Sequence, residues 1–297
     1  MLDMQGNFQH HIPVMTSEVL KLLNLKKDGT YIDGTIGAGG HTFEILSKLS
    51  TKGKVIGLDR DIFALELSHQ KLFSFKRQIN LHHSSYHKIP NIMKKNNISG
   101  VDGILLDLGL SSMQLDLEDR GFSFQKNSRV DMRFDQTKGE TAFELINRLN
   151  KEELANIIYE FGEERRSRRI AQSIKKSSII KTTNDLADAI KKSTPPNQRN
   201  KTLARVFQAI RIAVNGEIEK LKTFLDIFLQ YLNKEGRLVI MSYHSIEDRI
   251  VKHKLKDLKH DRKMKLIYKK PLVPIEEEIK SNRRARSAKM RVGEKIG

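Results

Sequence analysis

The 297-residue chain contains no cysteine. That absence excludes disulfides, thiolate zinc sites and iron–sulfur clusters. It also excludes thiolate nucleophiles, and with them enzymes that attack a pyrimidine ring carbon through cysteine. Zinc-dependent base deaminases are excluded because cysteines hold part of their metal. Breakers are few, with 6 prolines and 18 glycines, and 38% of the residues are hydrophobic. A packed core is therefore feasible and wholesale disorder is not expected. No apolar run approaches the ~20 residues that cross a bilayer, so no transmembrane helix is expected. The opening MLDMQGNFQH carries an Asp and no apolar core, unlike a secretory signal. The expected address is cytoplasmic.

Acidic residues are also in deficit. Lys and Arg total 54 against 36 Asp and Glu, a formal charge of +18. The excess is uneven: residues 1–110 hold 13 basic and 10 acidic groups, whereas residues 201–297 hold 24 and 12. Arg249 to Lys270 alone contains ten basic residues and two acids. A short charge run usually marks a solvated helix face. An imbalance over a whole segment points instead to a polyanionic partner, nucleic acid or an anionic membrane surface. Ile250, Val251, Leu255 and Leu258 read as a core-facing stripe rather than a membrane anchor, and Tyr268 is the only aromatic there.

Strand-like runs alternate with helical stretches in the first third. Thr30–Asp33, Lys54–Asp59, Ile79–His82 and Val101–Asp107 read as strands. Thr42–Leu49, Ile62–Lys71 and about Tyr86–Asn97 read as helices. This alternation predicts an α/β, mostly parallel sheet covered on both faces. After Asp107 it stops, and helical patterns dominate to about Asn200 (Thr141–Leu149, Glu152–Tyr159, Arg165–Lys176, Asn184–Lys192). A long amphipathic helix is expected from about Leu203 to Leu232, then a fifth strand over Gly236–Ser242. The predicted organisation is a first α/β part over 1–112, an inserted helical domain over 113–200 and a second α/β part with a basic segment over 201–297.

The strongest local signal is Asp33-Gly34-Thr35-Ile36-Gly37-Ala38-Gly39-Gly40-His41. A strand ends in an acid, a glycine turn follows, and a helix begins. Glycines let the backbone approach a ligand, and a helix start offers free amides. The dinucleotide fingerprint G-x-G-x-x-G would run through Gly37 and Gly39 and fails at Thr42. Asp59 ends the second strand 20 residues after Gly39, where doubly wound folds place an acid for ribose hydroxyls. An acid before the glycines suits a ligand with an ammonium group better than a pyrophosphate. S-adenosylmethionine has that group and a ribose diol, and a nicotinamide dinucleotide is the weaker alternative. Asp107 ends the fourth strand, where carboxyl ends face the ligand crevice, although Asp is also a common cap.

Taken in order, DGTIGAGGH, GLDRD, DGILLDLGLSSMQLD, RGFSF, VDMRFD, FGEERRSRRIAQSI, TFLDIFLQYLNKEGRL, SYHSIEDRIVK and RRARSAKMR resemble one family. It is the bacterial 16S (small-subunit) ribosomal RNA cytosine-N4 methyltransferases, and the resemblance runs from about His11 to Arg291. It implies a class I S-adenosylmethionine-dependent methyltransferase, Rossmann-like, with an inserted helical domain. The implied substrate is the exocyclic N4 amine of a decoding-centre cytidine in the small ribosomal subunit. Gly39, Gly40 and His41 are implied on the methionine side of the cofactor, Asp59 on the ribose and Tyr86 beside the adenine. Asp107 and Gln114 complete the implied cofactor pocket. The insertion and the basic C-terminal segment are implied to hold RNA. No metal and no membrane are expected, and a homodimer is allowed for.

DNA amino-methyltransferases usually carry Asp/Asn/Ser-Pro-Pro-aromatic at this strand end, and Asp107-Leu108-Gly109-Leu110 replaces it. Their grip on the base does not transfer. Asp107 is the candidate acceptor for an amine hydrogen during methyl transfer, with a neighbouring backbone carbonyl as the alternative. His244, after the fifth strand, is a candidate for base or phosphate contact, whereas Ser245 with Asp248 reads as a helix cap. His82, His83 and His87 read as surface or packing histidines. The Arg165–Arg169 cluster reads either as partly neutralised by Glu163 and Glu164 within a helix or as an RNA contact, with neither reading favoured. Phe122 and Phe124 are expected to anchor the insertion.

Overall fold

The computed structural model describes residues 13–177 and 179–297. Backbone contacts divide the chain into two compact units, Met1–Gly109 with Lys220–Gly297, and Leu110–Glu219. The first contains α1 (Thr16–Leu23), β1 (Thr30–Asp33), α2 (Gly40–Lys48), β2 (Lys54–Asp59), α3 (Ile62–Lys71), β3 (Ile79–His83), α4 (Ile89–Lys95) and β4 (Val101–Asp107). The second contains α5 (Ser112–Asp116), α6 (Ala142–Arg148), α7 (Lys151–Gly162), α8 (Ser167–Lys176), α9 (Thr183–Lys192) and α10 (Arg199–Asn215). The chain then runs through α11 (Glu217–Ile227), β5 (Leu232–Ser242), α12 (Ser245–His260), β6 (Met264–Leu266), α13 (Glu276–Ser281) and β7 (Lys289–Lys295).

The strands form one seven-stranded sheet in the order β3-β2-β1-β4-β5-β7-β6. Strands β1 to β5 pair in parallel, and β7 runs antiparallel to both β5 and β6. Parallel strands covered on both faces need side chains that avoid water on both sides. In β4, Val101, Ile104, Leu105 and Leu106 are all buried, as are Leu238, Val239, Ile240 and Met241 of β5. Strand order reverses between β1 and β4, which opens a crevice at their carboxyl ends. Asp33 pairs with Gly57 on one side and Leu105 on the other. Asp59 and Asp107 therefore stand two residues beyond it on the flanking strands.

The two terminal strands were not expected from the sequence. Strand β7 alternates buried Met290 and Val292 with charged residues, so it resembles a basic tail until its partners are known. Arg291 Nε donates to Asp248 Oδ1 at 2.6 Å, and Arg237 Nε to Glu294 Oε2 at 2.8 Å. Those pairs account for charge on a strand inside the sheet.

The expected single helix over 203–232 is two helices and a short turn. Helix α10 stops at Asn215, and Gly216 caps it in the left-handed region with φ 57°. The buried Asn215 side chain donates to the Met132 carbonyl at 2.7 Å and accepts from the Phe134 amide at 2.8 Å. These bonds fix the end of α10 to the loop before α6. Helix α10 consequently lies in the second unit, which runs to Glu219, where the sequence reading placed an edge at 200. That unit has its own core, including Val130, Ile146, Leu154, Ile170, Leu186 and Val206. Phe122 packs on Phe134 and Phe124 on Phe207 in the same core, so both phenylalanines act as anchors.

Candidate active site

The turn after β1 is shaped by contacts that exclude side chains. A Cβ on Gly34 would lie 2.4 Å from Leu106 Cδ2. Gly37 has φ +53°, a conformation that L-residues adopt only with strain, and no atom lies within 4 Å of where its Cβ would be. The loop therefore presents bare backbone to open space. Its position is set by the Gly37 amide, which donates to Asp59 Oδ2 at 2.8 Å. Helix α2 follows, its first-turn amides lacking helical partners as at any helix start.

Asp33 lies beneath this loop rather than in it. Its Oδ2 accepts from Thr42 Oγ1 at 2.7 Å and its Oδ1 from the Thr35 amide at 3.2 Å. Burial raises its carboxyl to about 6, with the Thr42 bond acting in the opposite direction. Asp59 accepts from the Asp61 amide at 2.9 Å through Oδ1, while Oδ2 holds Gly37. Burial pushes this carboxyl up as well, against the pull of the two amides. Each Asp59 oxygen retains lone-pair capacity for a further donor.

Asp107 is fixed by two hydrogen bonds. Its amide donates to Thr35 Oγ1 at 2.7 Å. The Tyr243 hydroxyl, just beyond β5, donates to Oδ1 at 2.7 Å. Its Oδ2 lies 3.7 Å from His41 Nε2. Burial holds the Tyr243 phenol far above its usual range, and the charge of Asp107 adds to this, so Tyr243 is a permanent donor. The sequence placed the SYHSIEDR segment at the crevice but singled out His244. Tyr243 is the residue that reaches Asp107, and its position directly after a strand end was the available signal.

The other expected residues fall as follows. His41 is 7% exposed, in the first turn of α2, and neither ring nitrogen has a hydrogen-bond partner. Tyr86 is buried and packs edge-on against Phe224, centroids 5.6 Å apart. Beside it, the buried Ser85 hydroxyl also lacks a partner. Gln114 belongs to the second unit, where it completes a capping box with Ser111 at the start of α5. The structure thus brings Gly39, Gly40, His41, Asp59, Tyr86 and Asp107 into one unit, with Gln114 in the other.

The expected Ser245 cap is not formed. His244 itself caps α12, its Nδ1 facing the Glu247 amide at 3.4 Å and its Nε2 lying 3.1 Å from Glu247 Oε1. Ser245 is already the first helical residue, one position too late to cap. His82 contacts Asn96 and His83 the Arg60 carbonyl, as packing and surface histidines do.

A glycine loop, an acid at the end of β2 and an anchored acid at the end of β4, on this strand order, define a class I methyltransferase. The chain belongs to the MraW methylase family, whose model matches residues 8–296. It is 45% identical over 290 residues to the ribosomal RNA small subunit methyltransferase H of Thermosipho africanus, covering 96% of this chain and 98% of that one. The protein of the same name from Caldicellulosiruptor bescii is 42% identical over 305 residues, covering 96% and 99%. The one from Kosmotoga olearia is 43% identical over 293 residues, covering 97% and 98%.

The cofactor of this methyltransferase is S-adenosylmethionine. The residues present fit it. Open space lies over Gly37, and Asp59 has capacity for hydroxyl donors. The two ring nitrogens of His41 and the Ser85 hydroxyl are buried without hydrogen-bond partners, and a polar ligand would satisfy such groups.

Proposed function

We propose that the protein methylates the exocyclic N4 amine of a decoding-centre cytidine in 16S rRNA of the small ribosomal subunit. Support for the substrate class comes from relatives named for small-subunit ribosomal RNA methylation and matched over nearly their full length. The observation that carries the chemistry is the Asp107 carboxylate, with one oxygen occupied by Tyr243 and the other directed to His41 at 3.7 Å.

S-adenosylmethionine, when bound, supplies an electrophilic methyl group on a sulfonium. Gly39, Gly40 and His41 receive its methionine end, Asp59 accepts from its ribose hydroxyls, and Tyr86 with Ser85 borders the adenine. The target amine is a weak nucleophile because its lone pair is delocalised into the cytosine ring. The protein therefore has to hold that nitrogen in line with the methyl carbon, and positioning contributes up to roughly 7–11 kcal/mol. As the nitrogen–carbon bond forms and the methyl carbon–sulfur bond breaks, leaving a neutral thioether, positive charge develops on the amine. Asp107 Oδ2 accepts an amine hydrogen, favours pyramidal nitrogen and takes the proton released to solvent. Tyr243 holds Oδ1 so that Oδ2 remains the accepting atom.

The substrate class is tested by incubating the protein with methyl-labelled S-adenosylmethionine and unmodified small subunits. The expected result is label in the small-subunit RNA. Label in ribosomal protein or large-subunit RNA instead, or none despite cofactor binding, would overturn the reading.

A further inference from the structure

We infer that the helical unit carries a surface for an RNA sugar–phosphate backbone, built from Arg165, Arg168 and Arg169 with Arg199 and Lys201. The inference rests on the ribosomal RNA reading above. The Glu163-Glu164-Arg165-Arg166-Ser167-Arg168-Arg169 segment places two acids before four arginines, which on a continuous helix would neutralise one another. The structure separates them. Helix α7 ends at Gly162, and Glu163 takes a left-handed conformation with φ 48°, which breaks the helix.

That turn sends Glu164 inward, where it is 4% exposed. Its Oε1 accepts from the Arg166 amide at 3.1 Å, and its Oε2 accepts from Thr202 Oγ1 at 3.2 Å. Arg205 Nη1 approaches the same Oε2 at 3.5 Å. Arg166 reaches the Gln198 side chain. Glu164 therefore joins the entry of α8 to the first turn of α10 and is not available to the exposed arginines. Arg165, Arg168, Arg169, Arg199 and Lys201 are all exposed, and among the described residues none makes an ion pair.

Unpaired cations held close together repel one another and gain from a polyanion. Four of the five are arginines, whose planar fork matches two phosphate oxygens at once. Exposed Asn197, Gln198 and Asn200 lie between them in the chain and supply hydrogen bonds of the kind made to phosphate and sugar. No large apolar side chain is exposed over 163–169 or 195–201, so a membrane would find no anchor. Such a surface gives affinity and register, not sequence choice.

The test is equilibrium binding of the full-length protein to unmodified small ribosomal subunits over a series of potassium chloride concentrations. The triple variant Arg165→Gln/Arg168→Gln/Arg169→Gln is expected to bind about tenfold more weakly, with a salt slope shallower by about two to three. Its S-adenosylmethionine affinity should equal that of the parent. If the triple variant melts early, Arg168→Gln alone should lower the slope by about one. Equal affinity and equal slope would overturn the inference. So would unchanged subunit binding with lost retention on phosphatidylglycerol vesicles. A parent protein that binds subunits without methylating their RNA would count against the substrate reading, while the slopes still decide the surface.

Discussion

In the proposed mechanism the two oxygens of Asp107 have different tasks, and substitutions separate them. Asp107→Asn keeps the size of the side chain but removes the proton acceptor. Single-turnover methyl transfer should fall about 100-fold, while cofactor affinity changes far less. Equal losses in both would reduce Asp107 to a cofactor ligand. Tyr243→Phe removes one hydrogen bond to a charged group, on the order of 2 kcal/mol, so turnover should fall by up to about 30-fold. Asp33 gives a pH signature. Its folded value of about 6 lies above the ordinary 3.8, so the folded state binds more protons between the two. Stability is then greatest below the lower value and falls as pH rises, with a cost of at most on the order of 3 kcal/mol above pH about 6. Asp33→Asn should raise the urea midpoint near pH 8 and leave it unchanged near pH 4. A gain at the lower pH alone would reverse the assignment.

Elements with local signals were legible in the sequence, and those defined by distant partners were not. Helices α6, α7 and α9 open on capping boxes, Thr141 with Glu144, Asn150 with Glu153 and Thr182 with Asp185, and their extents match the reading closely. Strands β1 to β5 showed because they are apolar or end in acids beside glycines. Strand β7 was hidden because Arg291 and Glu294 are explained only by Asp248 and Arg237, far away in sequence. The break after Asn215 was hidden for the same reason, since the partners of Asn215 lie near residue 133. Within the site, the glycine loop, Asp59 and Asp107 could be read from strand-end position. Tyr243 shares the strand-end signal, but its pairing with Asp107 could not be read because it needs β4 and β5 to be neighbours. Asn215→Ala would remove the bonds to the Phe134 amide and the Met132 carbonyl in a buried setting. It should cost about 2–4 kcal/mol in chemical denaturation. A change below about 0.5 kcal/mol would mean the loop finds other partners.

For the whole molecule, the proposed chemistry and the proposed RNA contact fall in different parts of the chain. The acids proposed to handle cofactor and amine end the strands of one unit, while the unpaired arginines belong to the other. A further basic run follows β5, where exposed Lys252, Lys256 and Lys259 occupy a side of α12 turned about 100° from buried Val251, Leu255 and Leu258. A charge of +18 accounts for attraction to RNA but does not identify the atom that is methylated. The most direct measurement is nucleoside analysis of small-subunit RNA after methyl transfer by the purified protein. The account predicts N4-methylcytidine, formed about 100-fold more slowly when Asp107→Asn replaces the parent. Methyl on a ribose oxygen or on a ring carbon would contradict it, because neither reaction uses an exocyclic amine hydrogen donated to Asp107.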